Sequence, residues 1–328
     1  MFIPRLKKKH RLIAPAIGFI CCFILILRLY YVQYAIDVFQ HSLDDTRTHS
    51  YKYLINESEI CKPFPEKIFL LIAVPSKTSG FEERRVIRKT WGSLAVNNTE
   101  IRLVFMLGYR SEINHHDLKI ESENYHDIIQ EDFYDSYRNL SIKSEAILRF
   151  ASTFCQGVKY VLKVDVDVFI NLPALIEDLR KHDRRNMIMG YRHSFAKPVR
   201  NPKLKWYTDG IAYPLAHYPN YASGRAYVIS GDITSKLLSV ALQTKYNSVE
   251  DVFINGIVRE RAAVKLVHRR DFGYSDPSVD ICWFENQIAG QPYTKEQMIE
   301  IWSEKVQNKH CTWLLRLYYM LYDLFVRD

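Results

Sequence analysis

Unbroken apolar runs alternate along the chain with segments whose apolar positions recur every three or four residues, a pattern that separates buried strands from amphipathic helices. Ile68–Val74 is apolar throughout and ends at Pro75, which predicts a central strand covered on both faces. Glu82 to Trp91 predicts a helix closed by Gly92, with Val86, Ile87 and Thr90 or Trp91 turned inward. Ile101–Leu107 predicts a second strand stopped by Gly108, and a polar helix is expected from Glu112 to Glu123. Beyond Asp127–Ile129, the apolar set Leu140, Ile147, Leu148 and Phe150 falls at helical spacing over Asn139–Phe154. A further apolar strand begins at Tyr160, and Asn171 is placed to cap a helix over Leu172–His182. Met187–Met189 predicts a short strand, Tyr191 to Tyr221 has no period, and Gly224 reads as the turn into a strand ending at Ser230. Helices are expected over Asp232–Leu242 and from Val249 onward. This alternation predicts a doubly wound α/β sheet, and with no G-x-G-x-x-G after any strand a dinucleotide cofactor is not expected.

The N-terminus has a different pattern. Leu12 to Leu27 carries no charge, follows the basic cluster Arg5, Lys7, Lys8, Lys9 and Arg11, and precedes Arg28 and Tyr30-Tyr31. Counted through Val32 this is about 20 residues, the length of a bilayer span, with no small-x-small cleavage site after it. The reading is a type II anchor with its basic flank in the cytosol: residues 1–11 a cytosolic tail, 12–32 the transmembrane signal-anchor, 33–66 a stem, and 67–328 one lumenal domain. At the other end, Trp313–Phe325 puts Leu314, Leu317, Leu321 and Phe325 on one face. That stretch is too short and too charged to span a membrane and is expected to pack on the domain, a homo-oligomer or membrane-surface contact being left open.

Composition narrows the class. Of 328 residues, 48% are hydrophobic and 25% charged, which is globular rather than disordered. A net charge of +8 raises the question of nucleic acid, but beyond the N-terminal cluster the basic residues are scattered and form no aromatic-interleaved patch, so none is expected. Cys61, Cys155, Cys282 and Cys311 lie beyond the anchor and fit two disulfides, with all pairings open. Asn56, Asn97 and Asn139 open glycosylation triplets, as a lumenal chain allows.

The chemistry concentrates at Lys163-Val164-Asp165-Val166-Asp167, where two carboxylates stand one residue apart at the carboxyl end of a buried strand. Ligands bind at that end of open α/β sheets. The two carboxylates repel each other unless a cation or a basic neighbour offsets them, and a hard divalent metal shared with a substrate phosphate does so. The plainer alternative is a turn and a helix cap. Arg85 and Arg88, three apart near the loop after the first strand, read either as a diphosphate clamp or as a solvated face paired with Glu82 and Glu83. Glu250-Asp251 opens an apolar helix, as a favourable charge on the macrodipole or as a carboxylate base. His268, after Val264–Val267, reads as a metal ligand or a structural histidine. Trp206, Tyr207, Tyr213, Tyr218 and Tyr221 are candidates to stack on sugar rings, with core packing the alternative.

Together, Arg84 to Gly92, Phe105-Met106-Leu107-Gly108, Asp127 to Lys143, Lys163 to Asn171, Tyr218 to Ser230 and Glu250-Asp251-Val252 resemble the β1,3-galactosyltransferase family, which includes β1,3-N-acetylglucosaminyltransferases. The resemblance covers about residues 68–270. It implies a Golgi type II enzyme with a Rossmann-like glycosyltransferase-A fold, using a UDP-sugar and Mn²⁺ to move galactose from UDP-galactose to a glycan acceptor on a glycoprotein or glycolipid. Transfer of N-acetylglucosamine or N-acetylgalactosamine, and a non-catalytic lumenal carbohydrate-binding role, are the alternatives. Carried onto this sequence, Asp167 binds the metal, Asp165 the donor ribose or the metal's water shell, and His268 is a further ligand. Arg85, Arg88 and Lys143 steady the phosphates or uracil, and Asp251 is the general base. Three positions depart from the family pattern: Val166 replaces a middle aspartate, Ala226 stands where glycine is common, and Asn255 lengthens the interval from Glu250-Asp251-Val252 to Gly256 by one.

Overall fold

The computed structural model of the chain describes residues 18–30, 51–96, 98–273, 281–285, 287–290, 293–306 and 311–325. The predicted cytosolic tail, both ends of the predicted anchor, most of the predicted stem and Asn97 lie outside the described residues. Residues 18–30 form a helix, α1, with every residue exposed. Among the described residues no helix is long and apolar enough to cross a membrane.

The rest builds on an eight-stranded sheet in the order β1-β4-β3-β2-β5-β8-β7-β9. Its strands are β1 Tyr53–Ile55, β2 Leu70–Pro75, β3 Ile101–Tyr109, β4 Ile128–Tyr134, β5 Tyr160–Val164, β7 Met187–His193, β8 Tyr221–Ser230 and β9 Lys265–His268. A small ribbon pairs β6 (Phe169–Ile170) with β10 (Ala289–Gly290). Strands β4, β3, β2 and β5 run parallel, while β1 and β8 join their neighbours antiparallel. Every residue of β2 and β5 is buried, as apolar runs covered by helices on both faces must be. Alternate residues feed two cores. Leu70, Ile72, Val74 and Leu162 meet α2 (Phe81–Lys89) and α5 (Leu172–His182); Leu71, Ala73 and Val161 meet α4 (Leu140–Phe154) and α6 (Thr234–Leu242). From β2 the chain winds outward through α2, β3, α3 (His115–Tyr125) and β4, then returns along α4 to lay β5 on the other side of β2. The carboxyl ends of β2 and β5 therefore flank the point where winding reverses, the place where such sheets open a crevice.

Several expectations change. Strand β3 passes through Gly108 to Tyr109, because the glycine is a point of close approach: a Cβ there would lie 2.6 Å from the Phe133 ring. Helix α2 ends at Lys89, and Trp91 and Gly92 belong to a 3₁₀ turn over Trp91–Ala95. Helix α3 starts at His115, where the Asn114 side chain accepts from the His116 N–H. The segment assigned to the stem is part of the fold: Tyr53 sits opposite Glu131 in the sheet, and Cys61 is bonded to Cys155 just past α4. Three strand residues and one cysteine are too short a stretch to show a period. Cys282 pairs with Cys311. Helices α8 (Ile281–Phe284), α9 (Lys295–Val306) and α10 (Trp313–Phe325) complete the chain. Only part of α10 packs as expected: Tyr319 meets the first core, whereas Trp313, Leu314, Leu317, Tyr318 and Leu321 are exposed.

Candidate active site

Strands β2 and β5 end side by side, with Ala73 opposite Lys163. The loop leaving β2 is fastened from beneath. Thr78 donates its N–H and hydroxyl to Asp135 Oδ2, each at 3.0 Å, and the buried Lys143 donates to Ser76 O (2.7 Å) and Asp135 Oδ1 (2.8 Å). Burial lowers the Lys143 pKa while the Asp135 charge opposes that shift. Arg84, also fully buried, donates to Ser76 Oγ at 3.0 Å and Lys77 O at 2.7 Å. Two of the three Lys143 ammonium hydrogens thus secure the floor of the crevice by holding Ser76 O and Asp135.

Past β5 the chain turns tightly, Asp165 N–H donating to Arg225 O at 2.9 Å and Val168 N–H to Asp165 O at 3.2 Å. Asp165 is half-buried and Asp167 exposed at the rim. Between these acids and the second acidic pair lies Lys163, a lone lysine inside the buried strand. Its Nζ donates to Asp165 Oδ1 at 2.5 Å and to Gly224 O, and stands 3.6 Å from Glu250 Oε2. Burial works to lower the Lys163 pKa, but the Asp165 and Glu250 charges prevail and raise it. Glu250 Oε1 accepts from Ser144 Oγ at 2.6 Å and Tyr227 OH at 2.7 Å.

Asp251 stands beside this network, half-buried, at the start of a helix over residues 250–261, α7. Its Oδ2 accepts from Gly224 N–H at 3.0 Å and its Oδ1 from Val252 N–H at 2.9 Å. Burial, and after it the Glu250 charge, push its pKa up to about 6 despite those two donors. Gly224 is therefore inside β8 rather than a turn before it, its backbone linking Asp251 to Lys163. A Cβ there would lie 3.1 Å from both Asp251 Cβ and Glu250 Oε2. Immediately after Asp251, α7 is π-helical over Val252–Val258. A π turn accommodates one extra residue, and Asn255, by which the interval to Gly256 exceeds the expected spacing, falls within it.

The donor set suits a hard cation only in part. Asp167 is pushed up by burial of its inner side and by the Asp165 charge, the signature of two acids without full compensation. Lys163 supplies the basic neighbour for Asp165, which leaves Asp167 and the outer Asp165 oxygen at the rim. Among the described residues no three His, Cys, Asp or Glu side chains converge on one point. One or two carboxylates with phosphate and water as the remaining ligands is how Mg²⁺-like ions are commonly held, so these residues fit such an ion if substrate completes it.

Other candidates fall elsewhere. Arg88 is taken up by Asp127 (2.8 Å to each oxygen) and Glu121 (2.7 Å), and exposed Arg85 pairs with Glu82. Neither reaches the loop after β2, which Arg84 occupies instead, so the diphosphate clamp read from their spacing is not formed. His268 Nδ1 accepts from Arg192 N–H at 3.1 Å, so the neutral ring carries its hydrogen on Nε2 and offers no lone pair there. Burial and the Arg192 charge hold its pKa down, in keeping with a structural histidine. Tyr213 and Tyr218 form a small core with Val252 and Ile257, and Trp206 remains exposed. Lys163 went unassigned in the sequence, although an ionisable residue in an otherwise apolar buried run has to be paired.

Residues 82–270 match the family model described as galactosyltransferase. Beta-1,3-galactosyltransferase 2 of Mus musculus is 34% identical over 273 residues, 80% of this chain and 64% of that protein. The Homo sapiens protein of the same name is 33% identical over the same length. Beta-1,3-galactosyltransferase 1 of Mus musculus is 33% identical over 270 residues, 80% of this chain and 81% of that protein. The chain thus spans less than two thirds of the galactosyltransferase 2 proteins it matches and most of galactosyltransferase 1.

Proposed function

This chain belongs to the galactosyltransferase family, and from that premise we propose that it moves galactose from UDP-galactose to a sugar hydroxyl of a glycan acceptor, forming a β1,3 linkage with inversion. The observation that carries the proposal is the joining of two acidic motifs, Asp165-Val166-Asp167 and Glu250-Asp251, through Lys163 and Gly224 at the carboxyl ends of β2 and β5. Asp251 accepts the proton of the attacking hydroxyl. Its pKa near 6 leaves it mostly ionised at neutral pH while making it a stronger base than an ordinary aspartate. Lys163 holds the Gly224 backbone beside it, Glu250 ties Lys163 to Ser144 and Tyr227, and Asp165 and Asp167 face the donor's diphosphate. A divalent ion such as Mn²⁺, held by Asp167 and the outer oxygen of Asp165, would supply Lewis-acid stabilisation of the departing UDP.

The proposal extends to place. A basic flank before an apolar stretch supports a type II anchor in a Golgi membrane, and two disulfides agree with an oxidising lumen. The test is a donor screen on the full chain, with UDP-galactose, UDP-N-acetylglucosamine and UDP-N-acetylgalactosamine. It is scored by UDP release with and without Mn²⁺ after chelation, then by linkage analysis of the product. UDP release favouring UDP-galactose and a β1,3 product is the expected result; release with no donor under any metal condition would refute it.

A further inference from the structure

Beside Asp251 the crevice has an aromatic wall. Tyr137 occupies the 3₁₀ turn just before α4, and the first turn of α4 is fastened to the segment before Asp251: Ser141 Oγ donates to Asn247 O at 2.7 Å and Ser144 Oγ to Glu250. Trp206 comes from the irregular segment between β7 and β8, which Arg200 braces by donating to Thr208 O (2.9 Å) and Tyr213 O (2.6 Å). Lys205 holds the two rings together, its Nζ 4.4 Å from the Tyr137 centroid and 5.8 Å from that of Trp206. Tyr137 is 44% and Trp206 56% exposed, so rings fixed from behind are open in front. The Tyr137 hydroxyl is pushed up chiefly by burial and pulled back by the Trp206 indole N–H. It then feels the Asp251 charge most, with those of Asp165 and Glu250 after it, so this wall borders the base.

We propose that Trp206 and Tyr137 form the acceptor subsite, the indole stacking on the apolar face of the acceptor sugar and the Tyr137 hydroxyl hydrogen-bonding its edge beside Asp251. The inference rests on the galactosyltransfer reading above. It names the substrate component the wall receives: the donor's diphosphate belongs at the acidic rim, whereas the hydroxyl that surrenders its proton belongs against the base. Apolar sugar faces and indole rings are complementary, and stacking of that kind is worth about a factor of ten in affinity.

Full-length wild type, Trp206→Ala, Trp206→Phe and Tyr137→Phe are compared with UDP-galactose as donor and benzyl β-glycosides of N-acetylglucosamine and galactose as acceptors. Trp206→Ala is expected to raise the acceptor KM about tenfold with the donor KM within twofold, and Trp206→Phe, which keeps a ring, to recover most of the loss. An unchanged acceptor KM in Trp206→Ala, or an equal rise in donor KM, overturns the inference while leaving the galactosyltransfer reading intact. A wild type that releases no UDP from UDP-galactose with any acceptor overturns that reading and the inference with it.

Discussion

Asp251 has to be ionised to take a proton, yet burial and Glu250 push its pKa up to about 6. Below that pH the carboxyl is protonated and cannot act, so kcat/KM should fall with decreasing pH through about 6 and level off above it. An acid limb near 4, the ordinary aspartate range, would show that Asp251 is not the limiting base. Asp251→Asn keeps the shape and should lower transfer by about 10²–10⁴-fold with melting unchanged. Lys163 gives a sharper test because it serves two acids. Lys163→Met leaves Glu250 buried without its cation, at a cost of about 3 kcal/mol in denaturant titrations. It also removes a positive charge that lowers the Asp251 pKa, so the acid limb should move above 6 in the same variant. Stability lost with the limb unmoved would separate Lys163 from the base.

At the scale of elements, the site depends on how closely β8 approaches α7, and Gly224 sets that approach. Gly224→Ala inserts a methyl group 3.1 Å from Asp251 Cβ, so the helix start must move by a few tenths of an ångström. Transfer should drop by about an order of magnitude or more, since catalysis tolerates displacement poorly, with little change in circular dichroism. A variant with native turnover would mean that the helix yields without moving the acid. Gly224 and Gly108 also show where reading the sequence stopped short. The sequence pattern makes each glycine the boundary of a strand; each lies inside one, because a missing side chain marks close approach as readily as a turn. Buried strands and long helices were legible because their periodicity is strong. Lys163 was not, because two of its three partners, Gly224 and Glu250, are 61 and 87 residues away along the chain, and only Asp165 is a near neighbour. Arg85 and Arg88 failed for the converse reason: their spacing was visible, but the carboxylates that occupy them were not.

Across the whole molecule, the winding order decides which loops meet, and the disulfide Cys61–Cys155 decides how firmly the N-terminal segment is held to that frame. The bond closes a separation of 94 residues, enclosing β2, β3, β4 and α4. By chain entropy alone a loop of that size is worth about 4–5 kcal/mol, with measured effects commonly 2–4. Cys155 follows the carboxyl end of α4, whereas Lys143 and Ser144, which touch the crevice, lie near its start. Eleven or twelve residues of helix put them about 17 Å apart. Stability and chemistry are therefore separable along one helix. Cys61→Ala with Cys155→Ala should lower the melting temperature by about 5–15 °C, as a loss of that size does in a domain of this length. The acceptor and donor KM measured well below the melting transition should remain within about twofold of wild type. If instead KM rises while the melting temperature holds, the bond acts on the crevice through α4 and the floor formed by Lys143 and Asp135 is less rigid than its hydrogen bonds imply.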